Sequence, residues 1–259
     1  MTMLMRLEAS AVNDVRFISD LHLDASRPQM TDGFFRYLSH LCEQQTTQAL
    51  YILGDLFEMW IGDDDDSVLA AQVFSQLKQA TSMGLTIYVM QGNRDFLLRK
   101  SFGLATGCIM IDDPLVTVLG KEAILLLHGD SLCVDDHAYQ AFRAQIRNRD
   151  VQWDFLSKSL NDRREYAAYL RSQSATMNSS KPEAIMDVNQ QAVMNAMTSY
   201  QCQIMIHGHT HRPASHRVTL PNNQQGSRYV LGDWRDDGGW ELVYNRCGYT
   251  LHSFTFEDL

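Results

Sequence analysis

The 259-residue sequence predicts an α/β fold with an inserted helical cap, and three observations lead there. Short apolar runs alternate with stretches of helical periodicity in the first half. Strand candidates follow one another without helices at the carboxyl end, and a long stretch between these two parts has no strand candidate at all.

Taken in order, MTMLMRLEASAVND is too short in its apolar part and too acidic for a signal peptide, and is expected to be a loose tail before the first strand, Val15 to Ser19. Phe34, Tyr37, Leu38 and Leu41 share one helical face; Ala49 to Leu53 is the next strand; Leu69, Val73, Leu77 and Ala80 define a second helix before the strand Thr86 to Met90. Helices between buried strands imply parallel pairing with both sheet faces covered. The run Asp63 to Asp66 ahead of SVLAAQVF reads as an exposed helix start favoured by the helix dipole, not as a metal site. Leu115 to Leu119 and Ala123 to Leu127 follow as strands. Gln203 to Ile206, His216 to Leu220, Ser227 to Leu231, Trp240 to Tyr244 and Thr250 to Phe256 are separated only by loops and are expected to form an antiparallel sheet.

The domain division is therefore a core of residues 1–134 and 198–259, interrupted by a helical cap, 135–197. The cap is rich in aromatic residues, among them Tyr139, Phe142, Trp153, Phe155, Tyr166 and Tyr169, and residues 135–181 carry eight Lys or Arg against six Asp or Glu. A basic and apolar lid suits an anionic, lipid-bearing substrate; an amphipathic helix pair packed on the sheet is the alternative. Met177, Met186, Met194 and Met197 could line an acyl pocket or supply a soft core.

Composition excludes several classes. The net charge of −9 and pI near 5.4 lack the basic footprint of a protein that grips nucleic acid by its phosphates. No 18-residue apolar run crosses a membrane, and a cytoplasmic location is expected. Five scattered cysteines without a C-x-x-C pair argue against a disulfide framework or a structural zinc site, and most are expected in the core.

Against this background, five short motifs each place a hard metal ligand at the end of an apolar run: Asp20-x-His22 in FISDLHL, Asp55 in LGDLFE, Asn93 in GNRD, His128 in LLHGD, and His209 with His211 in HGHTH. Asp20 and His22, one residue apart, would share a face at a strand end. Asp55 sits in a tight turn where parallel strands present their carboxyl ends, the usual ligand edge of open α/β sheets. Asn93 contributes a neutral amide oxygen; His207, His209 and His211 would share one face if their strand continued. Together these residues supply two octahedral-type sites sharing one carboxylate, the equipment for hydrolysing a phosphoester or phosphoanhydride with a metal-bound hydroxide.

The order D-x-H, G-D, G-N, H-G-D, G-H-T-H resembles that of the calcineurin-like metallophosphoesterase superfamily. The longer strings YILGDLFEMWIGDDD, GNRDFLL, LLHGDSLCVDDHAYQAFR, NSSKPEAIMDVNQ and HGHTHRPA are similar to those of the bacterial UDP-2,3-diacylglucosamine hydrolase family of lipid A synthesis. The resemblance implies a two-sheet αββα sandwich and two Mn2+ ions per chain. It also implies cleavage of a lipid-linked UDP-sugar at its pyrophosphate, by water attack at the α-phosphorus, giving UMP and 2,3-diacylglucosamine 1-phosphate. It places Asp20, His22, Asp55 and His211 on one ion, and Asp55, Asn93, His128 and His209 on the other, with Asp55 bridging. It suggests substrate contacts from Asn93, Arg94, Asp136, Arg171, Ser174, Asn178, Lys181 and His209. No nucleic acid is implied and no protein partner can be inferred; the acyl chains imply transient contact with the cytoplasmic face of the inner membrane.

Many superfamily members carry a His after the metal-binding Asn, where it protonates the leaving alkoxide; here the residue is Arg94. Arginine does not release its proton in a protein, but its planar fork holds phosphate bidentately. With Asp55, Asn93 and His209, Arg94 makes up the catalytic group that the resemblance implies, acting on a leaving group that needs no proton, such as a phosphate monoester whose second pKa is about 6. The alternative is a general nucleotide pyrophosphatase or phosphodiesterase with a soluble substrate; a binding module that has lost catalysis is disfavoured, since every expected ligand type is present.

Overall fold

The first part of the chain runs β1 (Met5–Leu7), β2 (Asp14–Ile18), α1 (Pro28–Gln44), β3 (Thr47–Leu53), α2 (Val68–Ser82), β4 (Thr86–Met90), α3 (Lys100–Thr106) and β5 (Ile109–Ile111). A hairpin of β6 (Leu115–Leu119) and β7 (Glu122–Leu126) leads into α4 (His137–Ile146), α5 (Arg149–Leu156), α6 (Leu160–Asn178) and α7 (Gln190–Ser199). Then come β8 (Ile204–His207), β9 (Ala214–Thr219), β10 (Gln225–Val230), β11 (Gly238–Asn245) and β12 (Gly248–Thr255). The structure, a computed structural model, describes residues 5–7, 14–178 and 183–259, with side chains for 14–173, 185–221 and 223–259.

Among the described residues these strands make two six-stranded sheets, ordered β12-β11-β2-β3-β4-β5 and β1-β6-β7-β8-β10-β9. Neighbours from β2 to β5 are parallel, as are β7, β8 and β10. Alternation along each strand divides its side chains between two layers. Leu50 and Ile52 of β3, with Ile87 and Val89 of β4, face α1 and α2 in one buried cluster with Phe34, Tyr37, Val73 and Leu77. Ala49, Tyr51 and Leu53, with Tyr88 and Met90, face inward onto Ile124, Leu126, Ile204 and Ile206 of the other sheet. Leu125 and Met205 point the other way and are covered by Val193 and Met197 of α7. The result is a four-layer sandwich of helices, sheet, sheet and helix, in which each fully buried Leu or Phe contributes roughly 1.5–3 kcal/mol relative to exposure. Cys42, Cys108, Cys133 and Cys202 are buried and Cys247 is exposed, all as free thiols.

Several expectations need correction. The C-terminal strands do not form one antiparallel sheet: the β9–β10 hairpin joins one sheet through a parallel β8–β10 pair, and the β11–β12 hairpin extends the other through β2. Loops alone can connect them because each hairpin returns to a different sheet. The expected N-terminal tail contains a strand, β1, parallel to β6. In the helix before β4, Val73, Leu77 and Ala80 are buried as expected, Leu69 packs partly buried against the same cluster and Ala70 joins it, while Ser67 caps the helix by accepting the Ala70 N–H at 3.2 Å. Asp63 to Asp66 are not a simple exposed helix start. Asp64 pairs with Arg163, and Asp65 and Asp66 pair with Arg164, docking α6 against the sandwich; Asp63 accepts the backbone N–H groups of Arg99 and Phe102 at the start of α3.

Candidate metal centre

The expected ligands all lie just beyond carboxyl ends of strands. Asp20 and His22 follow β2, Asp55 follows β3 and Asn93 follows β4, while His128 follows β7 and His209 and His211 follow β8 of the other sheet. The structure brings all seven together. His22 Nε2 and His211 Nε2 lie 3.1 Å apart, and His211 Nε2 is 3.5 Å from Asp20 Oδ1. Asp55 Oδ2 stands between the two groups, 3.9 Å from His22 Nε2 and 3.7 Å from His128 Nε2. Asn93 Oδ1 is 2.9 Å from His128 Nε2 and 2.8 Å from His209 Nδ1.

Strand alternation does not produce this convergence, contrary to the reading of D-x-H and H-x-H as same-face pairs. β2 ends at Ile18 and β8 at His207, and the ligands lie in turns: Asp20, His22, Asp55, His209 and His211 all have φ between 51° and 70°. This left-handed conformation is disfavoured for non-glycine residues and persists only where surroundings dictate it. Here the loops brace one another. Asp20 N–H donates to Gly54 O (3.1 Å), His22 N–H to Asp55 O (3.0 Å), Gly208 N–H to His128 O (2.8 Å) and His209 N–H to Asp20 Oδ2 (2.9 Å). Glycines permit the close approach: a Cβ on Gly208 would collide with Ser19 Oγ and Asp20 Oδ2, and one on Gly54, at φ 90°, would strike the His128 ring. His207 points away from the ligands. It is buried between Arg228 Nη1 (3.1 Å from Nε2) and Gly208 O (2.9 Å from Nδ1), and burial together with Arg228 pushes its pKa down to about 3. A neutral imidazole enclosed in this way is no spare proton donor.

Burial would raise the Asp20 carboxyl, but His211, His128 and His22 outweigh it and hold the group well below the ordinary carboxylate range. Burial would lower His128, and Asp55, Asp20 and Asp130 reverse that, raising it to about 9. His209 is lowered to about 4 by burial and by His128. The pocket thus concentrates negative charge on imidazoles that burial would keep neutral, and a cation satisfies both. Two observations fit divalent ions to these residues. Asp20 Oδ1 is buried without a hydrogen-bond donor, and the donor set is oxygen and imidazole with no thiolate. His128 Nδ1 is 2.9 Å from Leu53 O, which leaves Nε2 as its ligating atom.

The centre forms the floor of a cavity of about 670 Å³. Arg94, Asp136 and Arg171 line it, and Met59, Phe96, Phe142, Phe155, Leu170 and Met186 supply apolar wall. Of the other expected substrate residues, Ser174 and Asn178 have side chains outside the described residues, as does Met177, and Lys181 lies outside them altogether. Met194 and Met197 pack in the core. Trp153 is 74% exposed on the outer side of the cap. Sequence reasoning passed over three supporting residues although they stand inside or beside the quoted motifs. Asp95 of GNRD accepts from Gly92 N and Leu56 N, both at 2.7 Å; its carboxyl is pushed up to about 6 by burial and by Asp55. Asp130 of HGD accepts from Tyr139 Oη (2.7 Å) and Arg143 Nε (2.8 Å), and the Tyr139 ring stacks on His209. Glu58 of GDLFE reaches His22 Nδ1 at 2.9 Å.

Comparison with known proteins identifies the family. The family model described as calcineurin-like phosphoesterase matches residues 14–213. A UDP-2,3-diacylglucosamine hydrolase from Cellvibrio japonicus is 48% identical over 92% of this chain and 98% of its own length. Proteins of the same name from Chromohalobacter salexigens and Escherichia coli O7:K1 are 43% and 47% identical, over 93% and 88% of this chain and 97% and 93% of theirs. From the fold, the converging ligand loops and these matches together, the chain belongs to the calcineurin-like phosphoesterase family.

Proposed function

We propose that this protein hydrolyses the pyrophosphate of UDP-2,3-diacylglucosamine, releasing UMP and 2,3-diacylglucosamine 1-phosphate for lipid A biosynthesis. The observation that carries this reading is one cavity with two characters: a floor of candidate metal ligands and guanidinium groups, and apolar walls supplied by both the cap and the core. A soluble nucleotide would use only the floor. The names and identity of the relatives point the same way.

Asp20, His22, Asp55 and His211 would hold one ion and Asp55, Asn93, His128 and His209 the other. Two divalent ions, Mn2+ in this reading, supply an activated water nucleophile and a charge clamp on the phosphoryl group. Arg94 holds a phosphate with its planar fork; its Nε is buried without a protein partner, free for such a ligand. Its backbone N–H, bonded to Asp55 Oδ1 at 2.8 Å, ties that grip to the shared carboxylate. Arg171, with Ser174, Asn178, Lys181 and Asp136, contacts the nucleotide and the sugar phosphate. The proton inventory needs no general acid, because the departing phosphate monoester bears its own negative charge. Helices α4 to α6 act as the cap and exclude water from the acyl chains, whereas α7 belongs to the sandwich. No helix among the described residues is long and apolar enough to cross a membrane. Trp153 and Tyr169, 74% and 58% exposed on the cap, support docking on the cytoplasmic face of the inner membrane.

The test is direct. Purified protein with Mn2+ and UDP-2,3-diacylglucosamine should release UMP, chelator should abolish the reaction and Mn2+ should restore it. Equal kcat/KM for the acylated substrate and deacylated UDP-glucosamine would overturn the assignment.

A further inference from the structure

Histidines that bind ions through Nε2 need Nδ1 protonated and held, and the group holding it sets both ring orientation and basicity. For His128 that group is the Leu53 carbonyl. For His22 the nearest such group is a carboxylate: Glu58 Oε2 lies 2.9 Å from His22 Nδ1, an ion-pair contact without hydrogen-bond alignment, and Glu58 is 16% exposed. The other oxygen, Oε1, forms an ion pair with Nη2 of Arg171, which α6 brings across the cavity. Glu58 cannot easily move away from either partner. Its backbone N–H donates to Leu23 O at 3.1 Å, on the loop that carries His22, and Leu23 and Phe57 form a parallel bridge. Arg94 lines the same cavity, so Glu58 stands in it beside two guanidinium groups, those of Arg94 and Arg171.

We propose that Glu58 is a positioning residue that joins the cap to the metal centre, orienting His22 with one carboxylate oxygen and seating Arg171 with the other. The inference rests on the metal-centre reading and adds to it a dependence of ion binding on a residue outside the ligand set. It also explains how a cap arginine is held beside Arg94 before any phosphate arrives. Without Glu58 the two like charges would separate, and the cavity would lose its preformed anion grip.

Mn2+ titration of metal-stripped protein by calorimetry, together with steady-state kinetics, tests this. In Glu58→Ala the affinity for one of two Mn2+ ions should fall 10- to 100-fold, the range for removing a partner of a ligating histidine, while the other is unchanged. Glu58→Gln keeps the size and an acceptor oxygen, so its Mn2+ affinity should fall less; it serves as the folded control if the alanine variant is unstable. Arg171→Met should raise KM with Mn2+ affinity within threefold of wild type. The rise in KM caused by Glu58→Gln should largely vanish when Arg171→Met is already present, the non-additivity of residues acting as a unit. Wild-type Mn2+ affinity for both ions in Glu58→Ala would overturn the His22 half, and strictly additive KM effects would overturn the Arg171 half. Wild-type protein that binds fewer than two Mn2+ ions would instead refute the metal-centre reading itself.

Discussion

Arg163→Ala should loosen the cap by an amount the structure allows to be worked out. The Arg163 guanidinium is 3% exposed, donates to Ile61 O at 2.9 Å and grips Asp64 with two nitrogens, at 2.7 and 2.5 Å. A hydrogen bond involving a charged group contributes about 1.5–3 kcal/mol. Asp64 is 62% exposed, however, so water recovers most of what its carboxylate loses. Arg164 is itself 36% exposed, so its contacts to Asp65 and to the exposed Asp66 are screened by water and add little. The net cost is therefore about 2 kcal/mol, a shift of roughly 30-fold in the ratio of undocked to docked cap. Arg163→Lys keeps the charge without the fork and should cost about half as much. Hydrogen exchange across residues 160–173 reads the effect directly, with α2 as internal reference. Exchange in that stretch indistinguishable from wild type would refute the latch and place the cap's anchorage elsewhere. The pH dependence has a definite sign. The Asp64 carboxyl is lowered, first by its bond to Arg163, so its contribution is complete above the unfolded carboxylate pKa of about 3.9 and is lost as pH falls through the folded value. Cap docking should be flat from about pH 5 to 8 and weaken only on stronger acidification.

Asp55→Ala should be the most damaging single ligand change, since it removes the oxygen placed between both ligand groups; retention of near wild-type rate while Asp20→Ala is inactive would disprove the bridging role. Asp95→Ala strips the acceptor from Gly92 N and Leu56 N and should cost about 3 kcal/mol in urea unfolding, far more than a surface Asp change. Arg94→Ala should lower kcat/KM for the pyrophosphate, and Arg94→His should restore it only in part while favouring an alkyl phosphodiester; wild-type enzyme that cleaves both equally fast would show that another group donates a proton. Phe155→Ala should raise KM for the acylated substrate by withdrawing cavity wall, whereas Trp153→Ala should leave a micelle-free soluble analogue untouched and weaken only binding to anionic vesicles.

Most strands, helices α1 and α2 and the convergence of the seven candidate ligands could be read from local pattern, because apolar runs ending in Asp, Asn or His are written consecutively in the chain; the three-residue strands β1 and β5 and the short α3 carry too little pattern to be seen. What escaped depends on partners distant in sequence. Nothing near Asp64 signals Arg163, so an acidic run looks like solvated surface until α6 arrives. The parallel pairing of β10 with β8 is equally invisible, since a hairpin looks the same whichever sheet receives it. His207 shares its spacing with two ligands and differs only in meeting Arg228. Left-handed turns at Asp20 and His211 defeat a rule built on strand alternation. Glu58 and Asp95 stand within recognisable motifs, yet their work is to hold neighbouring groups, and that is apparent only once the loops are assembled.

The division of ligands between the sheets has a consequence for assembly. Asp20, His22, Asp55 and Asn93 descend from one sheet, and His128, His209 and His211 from the other. Ions seated among them would clasp the two layers of the sandwich at one edge, so that prying the layers apart and releasing the ions become one event. Each site at a free ion concentration 100 times its dissociation constant would add about 2.7 kcal/mol to the folded state. The clasp also closes late: a nascent chain has no complete site until residues near 211 join those near 20. Metal therefore rewards only a finished sandwich, and the protein should be most vulnerable to proteolysis in cells starved of divalent cations.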